Sequence, residues 1–243
     1  MLRFRATVVA VCAITLGAPV AAPAAITQTF TTSQSEFTPG VRNQGWWSAT
    51  FANGDDNDNY FAGVVTLPGP TPVVLRNFFS FDLSSACRAA TVTLQLTRFT
   101  QTGPLPYLLF DVSTPAPVLN ANDVVNPAIF TDLGTGTPFG SFQIATGSPG
   151  DLLDLPLNGA GVTAFNATRG RFFSLGGSTG AAEASSGDAF IYGNSERAGT
   201  QQLTVTCLPE NTDECKNGGW RDFGDTFKNQ GQCVAFVQRG PKP

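Results

Sequence analysis

The densest group of candidate metal ligands in this sequence is an acidic run made of Asp55, Asp56, Asn57, Asp58 and Asn59. Carboxylate and amide oxygens gathered in one loop are the ligands that a hard cation such as Ca²⁺ prefers. The run lacks the ligand spacing and the distal glutamate of a calcium hand, and its composition is also typical of a solvated turn. We therefore expect no obligatory cofactor, with Ca²⁺ at this loop as the one candidate.

Aromatic side chains supply a second candidate site. Trp46 and Trp47 are adjacent in a predicted strand, and Tyr60 begins the next one. Neighbouring residues on a strand face opposite ways, so one tryptophan should be core and the other outward or under a loop. One of them with Tyr60 would offer a platform for a sugar ring, whereas burial in the core is the more ordinary role of such rings. Carbohydrate binding here is a hypothesis that competes with core packing.

Composition excludes most catalytic constellations. The chain has no histidine, which removes Ser-His-Asp and Cys-His mechanisms and histidine-ligated metal sites. Residues 176–180 match G-x-S-x-G, but the segment lacks both a histidine base and the parallel-sheet setting of a nucleophile elbow. We read it as a glycine-rich loop.

A glycosidase remains open in principle because it needs only two carboxylates. Five aspartates lie near predicted strands, and no sequence pattern pairs any two of them: Asp82, Asp111, Asp151, Asp154 and Asp188. We therefore expect a protein that is not an enzyme.

The elements that must position these residues are strands. The run 73–83 is apolar at most positions, as expected of a strand covered on both faces, and residues 91–97 alternate between apolar and polar side chains at period two. Asn158–Arg169 breaks this pattern with helical spacing, a candidate cap at Asn158 and a stop at Gly170. The predicted fold is all-β: an antiparallel β-sandwich with one short helix.

The first 25 residues have the features of a signal peptide. Arg3 and Arg5 precede an apolar stretch, and Ala22-Pro23-Ala24 is a suitable cleavage site. The apolar stretch is shorter than the roughly 20 residues of a membrane span. We expect a secreted, extracellular protein with no membrane span in its mature form. Removing two arginines from a chain of net charge −4 leaves −6, which disfavours nucleic acid as a partner.

A composition step divides the mature chain. All three lysines, Lys216, Lys228 and Lys242, follow residue 207. The predicted organisation is a signal peptide at 1–25, a β-sandwich domain at 26–207, a linker at 208–212 and a small cysteine module at 213–243. Capping patterns and glycine stops predict that this module is helical.

Four cysteines remain after signal removal: Cys87, Cys207, Cys215 and Cys233. An even number in an exported protein indicates two disulfides, for which three pairings exist. The pairing that respects the predicted boundary joins Cys87 to Cys207 and Cys215 to Cys233. A zinc site is disfavoured, since the chain has no histidine and no C-x-x-C motif.

Two resemblances follow from longer motifs. The segments RNFFSFDLSS, TVTLQL and YLLFDVSTP, with the late helix and RFFSLGG, resemble secreted bacterial β-sandwich modules of the DNRLRE and related jelly-roll type over about residues 27–207. The segments CKNGGW and FKNQGQCV resemble a short C-terminal module of exported bacterial proteins. The first resemblance implies a jelly-roll fold and a non-catalytic role, and neither implies a fixed ligand.

The sequence therefore predicts a secreted, non-catalytic extracellular or cell-surface protein with a binding or structural role. Its expected partner is a glycan or protein of the cell envelope or its surroundings. The alternative is a carbohydrate-active protein, either a carbohydrate-binding module or a weak glycoside hydrolase.

Overall fold

The computed structural model describes residues 25–32, 43–52, 59–66, 72–121, 123–193 and 201–239. The predicted signal peptide, except its last residue, lies outside these ranges. The described strands, in chain order, are β1 Thr27–Thr31, β2 Gln44–Trp47, β3 Tyr60–Val65, β4 Val73–Asp82, β5 Ala89–Thr97, β6 Thr100–Gln101, β7 Leu105–Asp111, β8 Pro138–Ile144, β9 Leu152–Pro156, β10 Phe172–Ser178, β11 Ala189–Gly193 and β12 Gln202–Cys207.

These strands form two sheets whose ladders are antiparallel. The smaller sheet has the order β1-β12-β5-β9. The larger has the order β6-β11-β3-β4-β10-β7-β8, and β2 also pairs with β4. The expectation of an antiparallel all-β fold is confirmed at this level.

The two most apolar predicted strands, β4 and β5, are present but lie in different sheets. Phe79 and Phe81 of β4 and Leu94 and Leu96 of β5 are all fully buried in one shared core. The turn at Ser84 therefore carries the chain from one sheet to the other. This core, with residues from both sheets, is the main source of apolar burial in the fold.

The prediction of one short helix in residues 26–207 is wrong, because three described α-helices lie in the connections between strands there, and a fourth follows β12. Their bounds are α1 Ala116–Leu119, α2 Pro127–Asp132, α3 Gly159–Thr168 and α4 Gln230–Arg239, with 3-10 segments at Gly180–Ala184 and Gly219–Thr226. The predicted helix near residue 160 is α3, and Asn158 caps it by accepting the main-chain N–H of Gly161 at 3.0 Å. Phe165 of α3 is fully buried in the main core.

Two disulfides hold the later part of the chain, with the pairing expected from the sequence. Cys87 is bonded to Cys207 and Cys215 to Cys233. The second disulfide lies in a small separate cluster with Phe223. A third cluster surrounds Trp47, where α1 and α2 pack against β2 and β4.

Candidate functional site

An apolar groove lies where β2, β3, β4 and β11 meet. Its volume is about 250 Å³. The residues that line it are mostly aromatic or aliphatic: Trp46, Phe51, Asn59, Phe61, Val65, Val73, Leu75 and Tyr192. Among these described lining residues, the polar side-chain groups are those of Asn59, the Tyr192 hydroxyl and the Trp46 indole N–H. We call this feature the aromatic groove.

The two adjacent tryptophans of β2 are separated by strand alternation. Trp47 is 2% exposed and donates its indole Nε1–H to the carbonyl of Leu119 at 3.0 Å. Trp46 points the other way and is half-buried in the aromatic groove. The structure therefore brings Trp46 to the surface and assigns Trp47 to the packing of α1 against the larger sheet.

Further rings extend the aromatic groove into a row along β3 and β11. The Phe61 ring centroid lies 4.7 Å from that of Phe190 and 5.5 Å from that of Tyr192. Tyr192 in turn contacts Phe99 edge-on at 5.8 Å. Phe51 is 50% exposed and Phe99 is 38% exposed. Apolar rings left partly in water and close together mark an interaction surface more often than single exposed residues do.

The expectation that Tyr60 contributes to a sugar platform is wrong. Its side chain is fully buried, and its hydroxyl donates to the carbonyl of Thr97 at 2.7 Å. Burial, with a smaller contribution from nearby Tyr107, raises the pKa of the Tyr60 hydroxyl well above its usual range. The same burial argument removes Trp47 from the platform. Tyr192, which the sequence pattern did not single out, takes the surface position instead.

The acidic run falls mostly outside the described residues: Asp55, Asp56, Asn57 and Asp58 lie in the gap between residues 52 and 59. Asn59 is described and lines the aromatic groove. In the ranges that the structure describes, no three side chains of the His, Cys, Asp or Glu types come together as a metal-binding group. Calcium binding by the run stays a prediction.

The five strand-associated aspartates each have a structural partner. Asp82 Oδ1 accepts the N–H of Ser84 at 2.9 Å, Asp111 Oδ1 that of Thr137 at 2.5 Å, and Asp188 Oδ1 that of Thr66 at 2.7 Å. Asp154 Oδ1 accepts from the Gln95 amide at 2.8 Å, and Asp151 pairs with Arg98 at 2.5 Å. These partners are all different, so the carboxylates serve separate turns and strand ends.

Ser178, the serine of the G-x-S-x-G match, is buried at the end of β10. Its hydroxyl donates to Glu183 Oε1 at 2.5 Å and accepts the N–H of Gly180 at 2.9 Å. Glu183 is held by Arg76. The serine therefore fixes the turn into the 3-10 segment at Gly180–Ala184.

The cysteine module contacts the sheets at one corner. Ile26 donates its N–H to the carbonyl of Asp222 at 2.7 Å and accepts the N–H of Cys207 at 2.8 Å. Glu210 accepts the N–H of Arg88 at 2.9 Å and pairs with Arg169. Ile26, just before β1, is therefore hydrogen-bonded both to the last strand and to the cysteine module.

Comparison with known proteins adds no family and no relative: no family model matches this sequence, and none of the curated proteins is similar to it. Among the described residues, none of the helices has the length and apolar character needed to cross a bilayer. The function of the protein must therefore be inferred from the aromatic groove, the disulfides and the contacts given above.

Proposed function

We propose that this chain is a secreted, non-catalytic extracellular or cell-surface protein that binds its ligand through the aromatic groove. The observation that carries the proposal is the group of half-buried rings in the aromatic groove, where Trp46, Phe61 and Tyr192 meet. Such a surface stabilises a bound apolar face by removing it from water. The two disulfides support an oxidising, extracellular setting.

We also propose the finer features of the fold that the sequence predicts. These are a β-sandwich of jelly-roll type related to the DNRLRE modules at 26–207, a linker at 208–212 and a helical, disulfide-stapled module at 213–243. The Cys215–Cys233 disulfide, α4 and the Gly219–Thr226 segment support the last of these. Export through a cleaved signal peptide and a bacterial origin belong to the same proposal.

The second candidate function is carbohydrate binding at the same groove. Trp46 and Tyr192 are the ring types that contact the apolar face of a sugar. The described lining is mostly apolar, which favours a weak site with a broad preference. Hydrolysis is disfavoured because the candidate aspartates are engaged separately.

A binding measurement on the intact mature protein tests both candidates. A glycan array and titration with soluble polysaccharides should show binding that Trp46→Ala and Tyr192→Ala each weaken about tenfold, the loss of roughly one ring contact. Trp220→Ala, in the cysteine module, is the matched control and should bind like the wild type. Binding that survives both groove substitutions would overturn the assignment of the site.

A further inference from the structure

Two edge strands border an open side of the fold. β8 is the last strand of the larger sheet and β9 the last of the smaller one. Between them lies a cleft of about 520 Å³, lined by residues 141–146 and 152–155 and by Arg98. Neither edge is paired with a further described strand, and no ladder joins β8 to β9. We call this feature the edge cleft.

The register of β8 shows which main-chain groups face the edge cleft. In an antiparallel pair, alternate residues turn their N–H and C=O toward the partner strand, and the residues between them turn away. The residue opposite Gln143 on β7 is Pro106, which has no N–H to donate. The carbonyl of Ala145, two residues after Gln143, accepts from the guanidinium of Arg98, which lines the cleft, at 2.8 Å. Ser141 and Gln143 therefore direct their main-chain groups into the cleft.

The hydrogen bonds at the two ends of β9 show which of its main-chain groups face β5. The N–H of Leu157 bonds the carbonyl of Val92 at 2.9 Å, and the carbonyl of Asp151 accepts from Arg98 at 3.0 Å. Odd-numbered residues thus face β5. Leu152 and Asp154 turn their main-chain groups away from it.

Hydrogen bonds close the edge cleft at both ends and leave its middle open. At one end, the Asn158 side chain donates to the carbonyl of Pro138 at 2.8 Å. At the other, the Arg98 guanidinium donates to the carbonyl of Ala145 at 2.8 Å and pairs with Asp151 at 2.5 Å. In the middle, Phe142 and Leu153 are half-buried and pack against the main core.

The two edge strands, β8 and β9, differ in how well they are protected against pairing with a further strand. Proteins commonly protect a sheet edge with charged side chains, proline or short strands. β9 carries Asp154 and ends at Pro156, whereas β8 has no charged side chain and its single proline stands at its first position. β8 is therefore the unprotected edge strand of the cleft.

We propose that the edge cleft binds an extended segment of another protein, which adds to β8 as a strand. The free main-chain donors and acceptors of Ser141 and Gln143 define this occupant, because an extended peptide presents matching groups at the same period. Apolar side chains at alternate positions of the peptide would pack on Phe142 and Leu153. This site is separate from the aromatic groove and does not depend on the function proposed for it.

The test uses random linear peptides displayed on phage, selected on the wild-type protein and counter-selected on Ser141→Pro. Proline at this position removes the N–H that faces the cleft, on the side of β8 where no described strand pairs with it. Peptides enriched for apolar residues at alternate positions should slow amide exchange at Ser141 and Gln143 about tenfold and bind Ser141→Pro at least about tenfold more weakly.

Asp213→Asn is the control, since Asp213 lies on an exposed surface of the cysteine module, outside the residues that line the cleft. It should bind the selected peptides like the wild type. Failure to enrich any peptide, or protection located elsewhere, would overturn the proposal. Self-association in sedimentation experiments that Ser141→Pro abolishes would assign the cleft to a second copy of the chain and likewise overturn it. Amide exchange on the wild type decides the question even where Ser141→Pro does not fold.

Discussion

The guanidinium of Arg76 and the carboxylate of Glu183 form a bidentate ion pair although 107 positions separate them in the sequence. Arg76 Nη2 lies 2.8 Å from Glu183 Oε2, and the two side chains are 16% and 13% exposed. The guanidinium also donates to the carbonyl of Phe130 at 3.0 Å and lies 4.2 Å from the centre of its ring. One arginine on β4 therefore ties α2 and the Gly180–Ala184 segment to the larger sheet.

Replacing Glu183 by glutamine should destabilise the fold by about 2–3 kcal/mol, because it leaves a largely buried guanidinium without its countercharge. Urea denaturation followed by circular dichroism measures this loss. Asp213→Asn is the control, since Asp213 pairs with Lys216 on an exposed surface and the unfolding midpoint should not move. A Glu183→Gln midpoint equal to that of the wild type would contradict the prediction.

The adjacent tryptophans should respond in opposite ways. Trp47→Ala should lower the free energy of unfolding by about 3–5 kcal/mol, since it empties a packed site and leaves the Leu119 carbonyl without its donor. Trp46→Ala should lower it by about 1 kcal/mol or less, because that ring is partly in solvent. Paired urea denaturation curves measure both values. Equal losses would mean that the two rings do not occupy opposite faces.

The disulfides should contribute unequally to stability. Cys87→Ala with Cys207→Ala opens a loop of 120 residues, and the expected loss is roughly 4–5 kcal/mol. Cys215→Ala with Cys233→Ala opens a loop of 18 residues, and the expected loss is about 3 kcal/mol, with increased amide exchange confined to the cysteine module. Denaturation curves and hydrogen exchange together test this order. A larger loss of stability on removing the Cys215–Cys233 disulfide would contradict it.

Asp132 should make stability depend on acid pH. Partial burial of its carboxylate opposes ionisation, but hydrogen bonds from the main chain and hydroxyls of Thr114 and Ser113 outweigh this and lower its pKa below the ordinary 3.8. Because the folded-state pKa is the lower one, the stabilisation is present well above the ordinary value and is lost as pH falls through the folded-state value.

Asp132→Asn should therefore be less stable than the wild type at neutral pH, and the two stability curves should converge in strong acid. Thr114→Val removes one of the donors and should raise the pKa of the Asp132 carboxyl in an NMR titration. Parallel stability curves at all pH values would show that Asp132 titrates alike in both states.

Local patterns were enough to predict part of this architecture. The period-two alternation around Leu94 and the Asn158 cap are properties of short segments, so β5 and α3 could be predicted from their own residues. Pairing in space could not: β4 and β5 are joined by a tight turn yet belong to different sheets. No local pattern distinguishes a turn within a sheet from one that crosses the core.

The candidate site was harder to predict for the same reason. Strand alternation indicated that one of Trp46 and Trp47 would be exposed, but not which. Phe61 and Tyr192 come from β3 and β11, more than half the chain apart in sequence, and the β3–β11 ladder brings them together. The burial of Tyr60 was equally hard to predict, because nothing in the neighbouring sequence indicates that its hydroxyl donates to the carbonyl of Thr97.

The main-chain hydrogen bonds of Ile26 with Asp222 and Cys207 determine how the fold would respond to a pulling force. Residues that enter the body ahead of β1 and residues that leave it after β12 meet at one corner, beside the Cys87–Cys207 bond. Tension applied between these two points would separate β1 from β12, starting at Thr27 and Thr206, while the Cys87–Cys207 bond kept the end of β12 attached beside β5.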